Sequence, residues 1–432
     1  MIGATTIILD DTRDYVATSR NGLTTRSFWA GSRPPLYPLL IKLFGRSNTL
    51  LFVFQASVAI AAWLALAWLL YTRLHPRVVG ATTALTVLCA SLALDVVQWD
   101  RVLLTESLTM SLVALLIVLS WRFCDEPSRG RGTALVAAAL AWVLLRDSNV
   151  YAVACFAVAF VIAAIASRPR RVAFVAVAVA FLAVSAIGSV SSNIGRRWQG
   201  PLKDVITIRM LKDPDRADYL IAHGFPMSRA EISRVAGHCV VPSNSRGCVI
   251  VTDPRFYAWI RVEGRSVYEH WLLSHPTTAL SDPVRNSGQL LGHRLRVDHF
   301  SHYRFAFASL AEDVFFVRNE RVLLAEALVA LGCVITAVRR RPSPLAWIVL
   351  TALASTYPHM FVIWSFGALE TQRHALAASL ILRLALILAV ACVASDTRCR
   401  PAPTHGTARS KVKADTVRTM KAPVPTRETG AL

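Results

Sequence analysis

Nine runs of apolar residues, all but one close to the thickness of a bilayer, constrain this chain more than anything else in it: about 50–71, 78–95, 103–121, 133–146, 149–167, 171–190, 321–338, 344–365 and 374–394. Roughly 20 apolar residues cross the ~30 Å hydrocarbon core as a helix, and in lipid the backbone must satisfy its own polar groups. The expected fold is therefore all-α, a polytopic transmembrane bundle of about nine spans. Composition agrees, since 54% of the 432 residues are hydrophobic and 17% charged, against roughly 25% charged in soluble domains. Disorder, collagen and a small disulfide scaffold are excluded. The 133–146 run is short for a span and meets Arg146 and Asp147, so it is expected to end at a polar cavity, with those two residues as an internal ion pair or as part of an active site.

Lys and Arg number 47 against 27 acids, a net charge of +20. In a soluble protein that excess would suggest nucleic acid; in a membrane protein cationic loops face the cytoplasm, and no nucleic-acid partner is expected. Every second loop is basic: Arg73 to Arg77, Arg122 to Arg131, Arg168 to Arg171, Arg339 to Arg341, and the tail 396–432 with eight Lys/Arg against three acids. This pattern implies a multi-pass protein of the cell membrane with its amino terminus outside. The expected organisation is a first external loop 1–48, membrane helices 49–190, an external, mostly helical subdomain 191–320, membrane helices 321–395 and a disordered basic cytoplasmic tail in contact with anionic lipid. Within the subdomain the stretch 268–280 resembles an amphipathic interfacial helix. The opening MIGATTIIL is half a span followed by acids, which favours a first helix lost or shortened upstream. Cys239 and Cys248, bracketing a turn-rich loop outside the membrane, are disulfide candidates.

Chemistry concentrates in 9–45. Asp10, Asp11 and Asp14 sit just outside a membrane boundary, and Phe28, Trp29 and Tyr37 are aromatic anchors. Pro34, Pro35 and Pro38 fix the backbone, holding Arg33 at headgroup height, where a guanidinium suits a lipid phosphate. Asp100 and Glu106 lie in the second external loop and the helix after it. Glu106 falls one turn inside, where an ionised carboxylate points to function, although a capping role remains open. Arg373 and His374 precede the last span, where Arg373 either snorkels or binds an anion. A divalent metal near Asp11 and Asp100 is chemically reasonable but not demanded. Asp298, His299 and His302 read as surface residues, and no Gly-rich phosphate loop, Walker pattern or Ser-His-Asp order is present.

The 9–45 segment resembles the GT-C superfamily of membrane glycosyltransferases, in particular protein O-mannosyltransferases and lipid A aminoarabinose transferases. In order, Asp10 and Asp11, Tyr15, and Arg33-Pro34-Pro35-Leu36 match the acid pair, tyrosine and basic-Pro-Pro-Leu of that family's first external loop. The resemblance extends to Asp100 and Glu106 and to the interfacial stretch from Trp271 to Pro276, while the second loop lacks an Asp-x-Asp metal motif. It implies an inverting transfer of a sugar from a polyprenyl-phosphate donor to an acceptor hydroxyl on the external face. Asp11 would be the base with Asp10 as the alternative, Asp100 and Glu106 further acids of the catalytic set, Arg33, Arg373 and His374 the phosphate site, and Tyr15 and Tyr37 substrate contacts. No cofactor is required. The rival expectation is a multipass lipid or solute transporter or flippase, whose charged residues would line a path; a third is a catalytically dead relative.

Overall fold

A computed structural model of the chain describes residues 7–236, 253–292, 306–317, 319–340, 343–368 and 371–395, and among them every regular element is helical apart from one isolated bridge between Ile7 and Val102. Three short helices come first: α1 (Asp10–Ser19), a single turn at Arg26–Trp29, and α2 (Leu36–Leu43). The Lys42 ammonium of α2 donates to the carbonyls of Ser19 (3.2 Å) and Asn21 (2.6 Å), placing a cation where the α1 dipole leaves unpaired acceptors. At its other end α1 is stitched to 101–103: Ile7 N–H donates to Arg101 O, Leu103 N–H to Ile7 O, and the Thr12 hydroxyl to Leu103 O at 3.0 Å.

The longer helices follow. Ser47 caps α3 (Asn48–Arg73) by accepting from Leu50 N–H. This helix buries Leu51, Gln55, Trp63, Leu66 and Leu70 and exposes Val53, Ile60, Leu64 and Trp68, an apolar outer face of the kind that meets lipid. Then come α4 (Arg77–Ser91), α5 (Glu106–Asp125), α6 (Arg129–Leu145), α7 (Asn149–Ala166) and α8 (Arg171–Ile194). After the intervening region come α9 (Glu320–Arg340), α10 (Pro344–Phe366) and α11 (Thr371–Ala394). Among the described residues seven helices are long and apolar enough to cross a membrane, and α4 with Leu94–Arg101 makes an eighth only as a pair bent by 58°. The nine expected spans are thus seven or eight by this measure. The 133–146 run forms α6, whose 17 residues reach about 25 Å at 1.5 Å each, short of a full bilayer crossing.

Burial ranks these helices. The apolar stretches of α5 and α11 are 72% and 78% buried, against 39% for α3, α7 and α8. α5 and α11 are therefore the central helices with little face left for lipid, and Glu106 and Arg373 stand in their first turns.

Helices between 199 and 274 gather a second apolar core of their own, centred on Leu220, Phe225, Phe256, Trp259, Tyr268 and Trp271. It is tied to the end of α10 by the Tyr268 hydroxyl, which donates to Ser365 O at 2.7 Å, and by Arg209, stacked 3.5 Å over Trp364. The stretch 268–280 is not one amphipathic helix. It breaks at His275 into Arg265–Ser274 and Pro276–Arg285, because Pro276 has no N–H to continue the first helix but suits the first turn of the second. Trp271 is buried in the subdomain core rather than laid on a surface. Cys239, Cys248, His299, His302 and the tail 396–432 lie outside the described residues, as does the side chain of Asp10.

Candidate functional site

Four separate stretches of chain meet at the end of the bundle where α5 and α11 begin, and they join into one alternating line of acids and arginines. Asp14 pairs with Arg33 (2.7 Å), Arg33 with Asp11 Oδ1 (2.5 Å), Asp11 Oδ2 with Arg373, Arg373 Nε with Glu106 Oε1 (2.8 Å), and Glu106 Oε1 with Arg146 (3.0 Å). Side-chain exposure drops from Asp14 (57%), Arg33 (26%) and Asp11 (24%) at one end to Arg373 (7%), Glu106 (1%) and Arg146 (9%) at the other. The set has an open rim of Asp14, Arg33 and Asp11 over a sealed floor of Arg373, Glu106 and Arg146.

Each member is held by its own local structure. Asp11, Asp14 and Tyr15 share one face of α1 because they are three and four residues apart. Arg33 lies over the Tyr15 ring at 5.3 Å, and Tyr15 packs edge-on against Tyr37 at 5.2 Å. Arg146 follows the last residue of α6 in extended conformation, and its guanidinium also donates to Arg373 O at 3.3 Å. Behind it, Trp142 donates to Thr109 O and Asn149 to Trp142 O, locking α6 and α7 to α5.

Burial pushes the Asp11 carboxyl up, but the Arg373 and Arg33 guanidiniums outweigh it and hold the group down at about 2. For Arg33 burial acts downward, and Asp11 more than offsets it, so its pKa is raised. Asp11 is thus an anion at every physiological pH, with both oxygens engaged. The set contains three acids and three arginines. Its charges balance, so an added phosphate must share or displace an acid on Arg33 or Arg373.

The candidates from the sequence do not all converge. Asp11, Glu106, Arg33 and Arg373 do, with Tyr15 as the wall beneath Arg33. Tyr37 is fully buried and its hydroxyl donates to Gln55 Oε1 at 2.5 Å, while Gln55 donates onward to Val102 O; it supports the wall and reaches no surface. Asp100 accepts from the Ser107 hydroxyl at 2.5 Å and takes no place in the arginine line. His374 is half-buried one residue beyond Arg373. Arg146 and Asp147, expected to form an internal ion pair or to join an active site, do not pair with each other: Arg146 turns to Glu106, and Asp147 accepts two hydrogen bonds from Arg197 at 2.8 Å. Among the described residues no three of His, Cys, Asp and Glu come together to hold a metal ion.

Arg197 is the functional neighbour that the sequence did not single out. Besides Asp147 it donates to Gly31 O (3.3 Å) and the Ser191 hydroxyl, and Ser191 donates to Trp29 O (2.6 Å). Gly195 lies so near the carbonyls of Ala30 and Gly31 that a Cβ there would clash with both. Together these contacts clamp the loop before Arg33 to the end of α8. Replacing Arg197 by Gln breaks a buried charged hydrogen-bond set, for which a loss of about 2 kcal/mol is expected. Thermal unfolding of the purified variant in detergent checks this, and trypsin should cut faster at Arg26 than in the wild type. Comparison with family models, curated proteins and solved structures finds no match for the chain.

Proposed function

We propose that this chain is an integral membrane glycosyltransferase that moves a sugar from a polyprenyl-phosphate donor to an acceptor hydroxyl, with inversion at the anomeric carbon. The observation that carries it is Asp11, a carboxylate at the open rim of a helix bundle, bridged to Arg33 on the rim and to Arg373 on the buried floor of one charge line. The donor phosphate takes up Arg33 and Arg373 in place of Asp11. The acceptor oxygen attacks the anomeric carbon, its proton passes to Asp11, and the bond from that carbon to the phosphate oxygen breaks as polyprenyl phosphate leaves. The two arginines stabilise the charge that develops on the leaving oxygen. The GT-C resemblance of 9–45 supports the same assignment, as does the position of the line at the end of a bundle, where a lipid-linked phosphate would sit. By the loop-charge argument that end is external.

The exchange of partners has a pH signature. On the free protein Asp11 stays ionised well below neutrality, so kcat/KM should show no acid limb from this group down to about pH 4. The stability from its ion pairs is present above the unfolded value of 3.8 and is lost as pH falls toward about 2. In the complex the phosphate draws the arginines away and the carboxylate regains basicity, so kcat should acquire an acid limb at higher pH than kcat/KM. Parallel profiles, or a limb in kcat/KM near neutrality that Asp11→Asn removes, would count against the exchange.

A second reading, movement of a lipid or solute, rests on Arg383, buried midway along α11 and 4.0 Å from Glu326 of α9. That arginine is also engaged by the carbonyls of Phe315 and Val317, which suits a fixed lock between helices better than a station on a moving path.

A further inference from the structure

α1 has a second face, turned away from the charge line. Asp11, Asp14 and Tyr15 face the charge line, whereas Thr12, Arg13, Val16, Ala17 and Arg20, turned the other way, line a cavity of about 460 Å³. Arg46, Ser47 and Asn48 at the start of α3 form the opposite rim, and Ile8, Ile41, Leu51 and Leu103 supply apolar wall. Arg13, Arg20 and Arg46 bring three guanidiniums to this lining, Arg13 with a further interaction of its own.

The backbone is arranged to keep one of these arginines in place. Gly45 and Arg46 are successive left-handed residues, at φ +60° and +64°, and reverse the chain between α2 and α3. A side chain other than Gly is strained there, yet the position is an arginine at the cavity rim. The amino-terminal end of the 26-residue α3 adds positive potential to the same rim. Leu50 and Val53, just past it, are exposed apolar residues, so the cavity sits where α3 passes into lipid. A cationic rim over an apolar wall at this depth matches an anionic amphiphile, with a phosphate on the arginines and a chain along Ile41 and Leu51.

We propose that this cavity is a phosphate-group site, filled by the headgroup of an anionic phospholipid with its acyl chain on the apolar wall. It does not depend on glycosyl transfer. Because Leu103 is both cavity wall and the residue to which Thr12 is bonded, an occupant fastens α1 from behind and steadies the face that carries Asp11.

The test is native mass spectrometry of the purified full-length protein released from micelles containing phosphatidylglycerol, phosphatidylcholine or inorganic phosphate alone. The wild type and Arg33→Gln should retain phosphatidylglycerol in preference to phosphatidylcholine. The combined Arg13→Gln, Arg20→Gln and Arg46→Gln variant should retain it about a hundredfold less, each basic residue at a lipid surface being worth roughly a factor of five. Arg46→Gly removes one charge and relieves the left-handed strain, so it should fold well and show a partial loss. Inorganic phosphate that displaces the lipid in the wild type but no longer interacts with the triple variant would keep the phosphate site and reassign its source to a soluble phosphate. Equal retention of phosphatidylglycerol by the wild type, Arg46→Gly and a folded triple variant would overturn the proposal.

Discussion

Replacing Asp11 by Asn is expected to lower sugar transfer by at least about 100-fold, the lower end of what a positioned general base contributes, while the yield of folded protein stays near that of the wild type. The fold should tolerate the change because neither arginine is left alone. Arg33 keeps Asp14 at 2.7 Å and Arg373 keeps Glu106 at 2.8 Å. Asn is close to Asp in shape and its oxygen still accepts from a guanidinium, so the donor site persists and donor affinity should change far less than turnover. The measurement is initial rates at saturating and limiting donor, with monodispersity in detergent as the folding control. Turnover within a few-fold of the wild type would remove Asp11 as the base.

Glu106→Gln should behave in the opposite way, with the protein itself failing. Glu106 stands between Arg373 and Arg146 on the sealed floor, and its second carboxylate oxygen is buried without a hydrogen bond. Without its charge Arg373 retains Asp11, but Arg146 is left with the Arg373 carbonyl and no acid among the described residues. An uncompensated buried charge of this kind costs on the order of 3–5 kcal/mol, a large part of the stability of most domains. Glu106→Gln is therefore expected to lower the unfolding temperature and the expressed yield sharply. Replacing Glu106 and Arg146 together by Leu and Met should recover part of the loss, since an apolar pair avoids the desolvation that the ion pair must overcome. If Glu106→Gln is as stable as the wild type, the floor is not the electrostatic lock described above.

What was legible in the sequence follows from which signals are local. Span-length apolar runs announce helices because lipid leaves no other solution, so α3, α5 and α7 to α11 were visible. The bend after Ser91 was not, because apolarity continues through Leu92 and Ala93 and hydropathy does not register a change of direction. Asp11, Arg33, Glu106 and Arg373 were each marked by a rare setting: an acid at a membrane edge, an arginine before two prolines, and charges in the first turns of apolar helices. Their common meeting point required the packing of α5 beside α11. Adjacency in sequence misled at Arg146 and Asp147, since the extended residue at the end of α6 aims its side chain away from the next one. Arg197 carried no signal at all, being one arginine among many in 191–320, and only the approach of Gly195 to the loop at Gly31 gives it a role.

The most direct test incubates membranes containing the protein with labelled polyprenyl-phosphate sugars and a crude acceptor extract, and measures free polyprenyl phosphate together with labelled product. Stoichiometric release of both from the wild type, absent with Asp11→Asn, is the predicted result. Label that crosses sealed vesicles with the sugar-phosphate bond intact, and no release from folded wild-type protein with any sugar offered, would contradict glycosyl transfer and leave the charge line to transport.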